Sequence, residues 1–228
     1  MKTKNKVQQL VPNNQPIDWF NMMTNECSEY PIHLFNKISK DCFVIDCGCN
    51  VGGFYNRYKE MSNNWTCIDA SSFNIIEFNR NNKNHNCHLL QRALTGQDNK
   101  ILKLKKYTDE KLNDTPSGNF GVLDFVYQHN NHGWKDDEYE EVESMCLESV
   151  LKINNKKIDI LKVDIEGSEY DFLYNKDLSN IQYITMELHN FLGDKKNDLC
   201  EWINKTHKEI FSKGDGIKSH FLKAWELK

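Results

Sequence analysis

Residues 42–54, CFVIDCGCNVGGF, constrain what this chain can fold into more than any other stretch. Phe43, Val44 and Ile45 make an apolar, β-favouring run of the kind that a parallel strand buried on both faces requires. Asp46 ends the run, and Gly48, Asn50, Gly52 and Gly53 follow before an amphipathic stretch over 54–61. Strand, glycine-rich turn, helix is the order in which a doubly wound α/β sheet builds its nucleotide site. The spacing is not the dinucleotide fingerprint G-x-G-x-x-G; it reads D-x-G-x-N-x-G-G, with an acid ahead of the first glycine. A carboxylate there repels a pyrophosphate and suits a cationic or amine-bearing ligand. S-adenosylmethionine (SAM), which carries a sulfonium and an α-amino group, is such a ligand. Alone, the same residues also read as a strand end with a solvated Asp and a flexible turn.

At 228 residues the chain is expected to hold one domain with a modest cap: an arm and helical cap over 1–40 and the ligand-binding domain over 41–228. A net charge of -4 gives no general reason to expect nucleic acid as a partner. No run approaches the roughly 18 apolar residues of a membrane span. The first residues, MKTKNKVQQLVPNN, lack the apolar core of a signal peptide. The eight cysteines contain no C-x-x-C, and several lie in apolar runs. They are expected to be reduced thiols of a cytoplasmic protein, neither disulfides nor zinc ligands.

Further along, residues 1–16 read as a loose polar arm, and 17–23 and 32–38 have helical spacings split by Pro31. Residues 65–68 predict a second strand ending on Asp69, Ala70 and Ser71, with Ser72 as cap of the next helix. Asp69 follows Gly52 at close to the roughly 20-residue separation at which an acid binds a ribose in such folds. A helix N-terminus would favour the same acid through its dipole. Residues 87–90 predict a third strand, leaving Ala93 and Leu94 placed against an adenine face, and 101–104 a strand at the sheet's margin. The pattern breaks down over 108–141, an irregular insertion whose HNNHGW run (129–134) offers substrate contacts but too few ligands for zinc.

Residues 145–153 predict a helix, and 158–169 begin as a strand ending near Gly167. A two-residue period puts Lys162, Asp164 and Glu166 on one face. Residues 181–188 predict another strand, with Glu187 and His189 on one face at its end. If these strands are neighbours, Asp164, Glu166, Glu187 and His189 gather at the carboxyl edge that holds the glycine turn, where open α/β sheets bind ligands. A helix over 198–211 and an alternating final strand over 220–227, antiparallel at the edge, complete the reading.

Together VIDCGCNVGGF (44–54), CIDAS (67–71), ALTG (93–96), LKVDIEGSEYDFL (161–173) and ITMELH (184–189) resemble the FkbM family of SAM-dependent methyltransferases. The resemblance spans about 40–190 and departs from the family's more usual Glu-Pro at Asp69-Ala70. It implies a Rossmann-like class I methyltransferase fold and methyl transfer to an oxygen, often on a sugar or glycan-like acceptor. Asp46, Gly48, Asn50, Gly52, Asp69, Ala70, Ala93 and Asp164 are then expected around SAM. His189 is the first choice as base, with Asp164, Glu187 and Glu166 orienting it or the acceptor. Asp164, Glu187 and His189 ligating a divalent cation is the other mechanism. A nicotinamide-dependent oxidoreductase and a non-catalytic SAM-fold binding module are the alternative functions.

Overall fold

The computed structural model describes residues 16–108, 116–122, 139–154, 157–189, 192–214 and 220–228. Of the arm expected over 1–16 only Pro16, which opens the first helix, is among the described residues, and the HNNHGW run lies outside them. The centre is strand β1 (Phe43–Cys47), flanked by two parallel strands, β2 (Asn64–Asp69) and β8 (Ile158–Val163). Outward from β2 lies β3 (Cys87–Gln91); outward from β8 lie β9 (Ile181–His189), β11 (His220–Leu227) and β10 (His207–Gly214). The seven-stranded order is β10-β11-β9-β8-β1-β2-β3, and only β11 runs opposite to the other six strands. The chain leaves β1 toward β2 and β3, then returns to β8 on its other side. The order therefore reverses between β1 and β8, and a crevice opens at that point in such sheets.

The alternation of side chains explains why these strands are apolar throughout. On one face Ile45, Cys47, Leu161, Val163, Ile184 and Met186 pack under helices α4 (Leu147–Lys152), α5 (Glu169–Leu173) and α6 (Lys195–Thr206). On the other, Val44, Trp65, Cys67, Ile160 and Tyr183 pack with Phe54 of α2 (Gly53–Tyr58) and Phe78 of α3 (Ser72–Asn81). Cys27, Tyr30, Ile32 and Phe35, from the segment after α1 (Pro16–Glu26), join that second core, with Phe35 stacked on Tyr183 at 4.4 Å. Each fully buried branched side chain contributes about 1.5–3 kcal/mol, so both layers are needed to hold a sheet with two apolar faces.

Several boundaries differ from expectation. The final strand is antiparallel, but it lies one place in from the edge, and β10 takes the edge itself. The helix expected over 198–211 ends at Thr206, and residues 207–214 pair with β11 instead. Residues 32–34 form only a single 3-10 turn. The strand expected at the sheet's margin belongs to a separate small sheet. There β5 (Ile101–Thr108) pairs with β6 (Pro116–Val122) and β7 (Tyr139–Met145), and β7 pairs with the short β4 (Ala93–Leu94). Part of the 108–141 insertion is thus regular. No helix among the described residues is long and apolar enough to cross a membrane.

Candidate active site

The glycine turn owes its shape to what crowds it. Gly48 has φ 73°, and a Cβ there would sit 1.7 Å from the backbone oxygen of Asp164. The turn after β1 and the turn after β8 therefore touch backbone to backbone, which only glycine permits. Gly52, at φ 89°, packs so closely on Phe78 and Asn82 that its added Cβ would lie 2.2 Å from the Asn82 amide. Asn50, at φ 50°, turns its N–H onto Asp69 Oδ2 at 2.9 Å.

An open cleft lies over these turns. Gly48, Asn50, Asp69, Ala70, Ala93, Asp164 and Glu166 line it, together with Ile68, Asn74, Arg92, Leu94, Leu104, Ile165 and Ser168. Asp69 is buried, and its carboxylate accepts bonds from the Asn50 and Ser71 N–H groups at 2.9 Å and from the Asn74 amide at 3.0 Å. Burial pushes its pKa up, these bonds pull it down, and burial prevails, leaving it at about 6. The helix cap is Ser71, one residue before the expected position, and its hydroxyl accepts from the Asn74 N–H.

Asp46 does not reach the cleft. It is fully buried, with Lys162 Nζ 3.1 Å from Oδ1, and the same ammonium donates to the Gly48 carbonyl at 2.8 Å. Gly52 lies outside the cleft lining as well. Asp46 thus anchors the turn from below through Lys162, whose own pKa is raised: burial lowers it, and the Asp46 and Asp164 charges more than compensate.

Strands β8 and β9 are neighbours, and their ends bring the four expected polar residues together. His189 Nε2 lies 3.4 Å from Glu166, 3.6 Å from Glu187 and 3.9 Å from Asp164. The route is not the expected alternation. Strand β8 ends at Val163, and Glu166, at φ 51°, swings in from the following turn. The sequence reading missed Glu169, which is fully buried and accepts from His189 Nδ1 at 3.2 Å and from the Ile165 N–H at 3.2 Å. Its place at a helix start marks it as a surface acid, and nothing in the pattern signals burial. Leu94, expected with Ala93 at the adenine face, does line the cleft; Arg92, Lys162 and Ser168 carried no assigned role, and Asn74 and Leu104 were likewise missed. Leu104 comes from the small sheet, which periodicity does not place over the cleft.

Electrostatics in the cluster follow from burial against opposite charge. Burial lowers the His189 pKa, but the Glu169 bond and charge, then Glu166 and Asp164, outweigh it and push the imidazole up to about 10. Burial raises Glu166 to about 7 and Glu187 to about 8; Asp164 adds to both and His189 opposes. At neutral pH the cluster holds an imidazolium at His189 beside Glu166 and Glu187, which keep protons in part. Asp164, Glu166 and His189 each offer one ligand atom, all within 4.8 Å of one another, so the same groups are placed to hold a metal ion.

A doubly wound sheet with an antiparallel strand near one edge and its cleft at the reversal of strand order is the Rossmann-like fold of class I methyltransferases. The family described as the methyltransferase FkbM domain matches residues 46–213, and the chain belongs to it. It is accordingly a methyltransferase, and its methyl donor is SAM. Methyltransferase FkbM from Methylobacillus flagellatus KT is similar in structure over 83% of this chain and 44% of its own, at 11% identity and a TM-score of 0.51. This chain therefore spans less than half of that protein. An rRNA methylase from Streptococcus thermophilus is similar over 95% of this chain and 99% of its own, at 9% identity and a TM-score of 0.45. SMU.1697c from Streptococcus mutans, solved in complex with SAH, covers 94% and 98%, at 9% identity and 0.47. No curated protein matches the sequence.

Proposed function

We propose that the chain methylates a hydroxyl oxygen of a sugar or glycan-like acceptor, and that the carboxylate–histidine cluster receives the hydroxyl proton. The observation behind this reading is that cleft and cluster share Asp164 and Glu166. When bound, SAM supplies a methyl group that an oxygen nucleophile displaces from sulfur. Asp69 would hold the ribose, Ala93, Leu94 and Leu104 would flank the purine, and the Gly48–Asn50 backbone would meet the methionine portion. An alcohol must lose its proton as it attacks, so a base is needed close by. His189 already holds two ring protons at neutral pH, and it acts as base only in the state where one has passed to Glu166 in its ionised form, which a pKa of about 7 keeps populated. Glu166 and Glu187, raised toward neutrality, are matched to that exchange.

The surrounding carboxylates and the net charge of -4 disfavour a phosphate-rich acceptor and suit hydroxyl donors. A divalent cation is the second reading. The Asp164, Glu166 and His189 ligand atoms lie within 4.8 Å of one another, so a small inward movement would bring them onto one cation with bonds of about 2.1 Å. Glu169 on Nδ1 is the kind of carboxylate that orients a metal-bound imidazole.

The test is transfer of labelled methyl from SAM to a panel of sugars, with RNA as the competing acceptor. Sugar labelling is expected, and labelling of RNA alone would overturn the reading. His189→Ala should lower turnover by about 10²–10⁴-fold with SAM affinity nearly intact. Activity abolished by chelator and restored by Mg²⁺ or Mn²⁺ would select the cation. The described thiols form no disulfide, and a reducing, cytoplasmic setting belongs to the same proposal. Titration of the denatured protein without reductant should find all eight thiols free; a stable bridge would contradict it.

A further inference from the structure

Tyr30 precedes the first strand and lies outside the residues 46–213 that the family match covers. It is nonetheless buried, and its hydroxyl donates to Asp164 Oδ2 at 3.3 Å. The segment that carries it is fixed. The Tyr58 hydroxyl donates to the Cys27 carbonyl at 2.9 Å, the Ile32 N–H donates to the Tyr30 carbonyl at 2.9 Å, and the Tyr30 ring meets Phe54 edge-on at 5.2 Å. Lys162 Nζ lies 3.7 Å from the same Oδ2 and 5.9 Å from the centre of the Tyr30 ring. Asp164 Oδ1 is the oxygen nearer His189, at 3.9 Å.

We infer that the segment ahead of the first strand completes the active site, with Tyr30 and Lys162 as positioning residues that fix Asp164. The inference rests on the proposed role of the carboxylate–histidine cluster. The Tyr30 hydrogen bond and the Lys162 charge on one oxygen set the plane of the carboxylate and leave the other oxygen directed at His189 and the acceptor. Lys162 ties this arrangement to the cofactor side, because its ammonium also holds the Gly48 carbonyl and Asp46. The phenol contact is long for a hydroxyl–carboxylate bond, as active-site bonds often are before substrate tightens them.

Tyr30→Phe removes one donor and keeps the ring packing. It should lower kcat about tenfold or more, the effect of losing a hydrogen bond to a charged group. The KM for SAM should stay within about twofold and the melting temperature close to wild type. Crystals of the variant should show the Asp164 carboxylate rotated from its wild-type plane, a readout that needs no acceptor. A wild-type enzyme that labels no hydroxyl acceptor would refute the functional reading, while the Asp164 orientation would still decide the positioning role. Lys162→Met alone would leave Asp46 buried without its cation, so it is paired with Asp46→Asn. The double variant should fold and lose turnover, with SAM held more weakly because the Gly48 turn loses its anchor. An unmoved Asp164 together with unchanged kcat in Tyr30→Phe would overturn the inference. So would a fall in melting temperature with unchanged turnover per folded molecule.

Discussion

At Asp69 three protein donors already converge on one carboxylate. An ionised carboxylate has about four acceptor positions, so one remains for a ribose hydroxyl. Asp69 therefore closes the glycine turn onto the next helix and also faces the cleft. Asp69→Ala should weaken SAM by about 1–3 kcal/mol, and it should lower the melting temperature too, since Asn50, Ser71 and Asn74 lose their acceptor. Titration calorimetry beside a melting curve separates the two effects. The pKa of about 6 adds a pH signature. A hydroxyl donor prefers the ionised acid, so affinity should hold above pH 6 and fall by up to about tenfold per unit below it. Affinity flat between pH 5 and 7 would move the ribose contact elsewhere.

Among the elements, the turn between β1 and α2 carries the tightest steric condition. Gly48→Ala would put a methyl group into the Asp164 carbonyl at a left-handed φ, and both turns would have to part. The variant should lose SAM binding and several kcal/mol of stability, beyond the roughly 1–2 kcal/mol that a left-handed residue costs by itself. Gly193→Ala is the control, because Gly193 also has positive φ but nothing within 4 Å of an added Cβ. Equal losses in the two variants would show that conformation, not crowding, governs Gly48. This turn was legible because a glycine cluster directly after an apolar run has few other uses. The central strands were legible because burial on both faces leaves unbroken apolar runs. Strand β10 was not: HKEIFSKG is largely exposed edge and reads as a continuation of the helix before it. Glu166 was placed in the cluster by a strand period that in fact stops at Val163, and a left-handed turn delivers it to the same spot. The burial of Glu169 and the reach of Tyr30 come from long-range packing, which local periodicity does not encode.

Over the whole molecule, the buried cluster sets how stability responds to pH. His189 is raised to about 10, so the stability it contributes is fully present below its unfolded value of about 6.5 and is lost as pH rises toward 10. Glu166 and Glu187 are raised to about 7 and 8. They hold protons that the unfolded chain has already released, and they too favour the fold less as pH climbs. All three act with one sign between pH 7 and 8.5. His207, whose pKa is lowered chiefly by burial, acts only at more acid pH, and the buried thiols with raised pKa values begin to add to the same fall at the top of this window, as the unfolded thiols ionise. The metal-free protein should therefore melt at steadily lower temperature from pH 7 to 8.5. Glu187→Gln, which removes one ionising member and keeps its shape, should flatten the slope. A divalent cation that binds here would take the place of the protons, release them on binding, and flatten the slope of the wild type as well. Scanning calorimetry at several pH values, with chelator and then with Mn²⁺, distinguishes these outcomes. A melting temperature that rises across the window in chelator would mean that the cluster is not protonated as described, and would return His189 to the neutral imidazole of a simple general base.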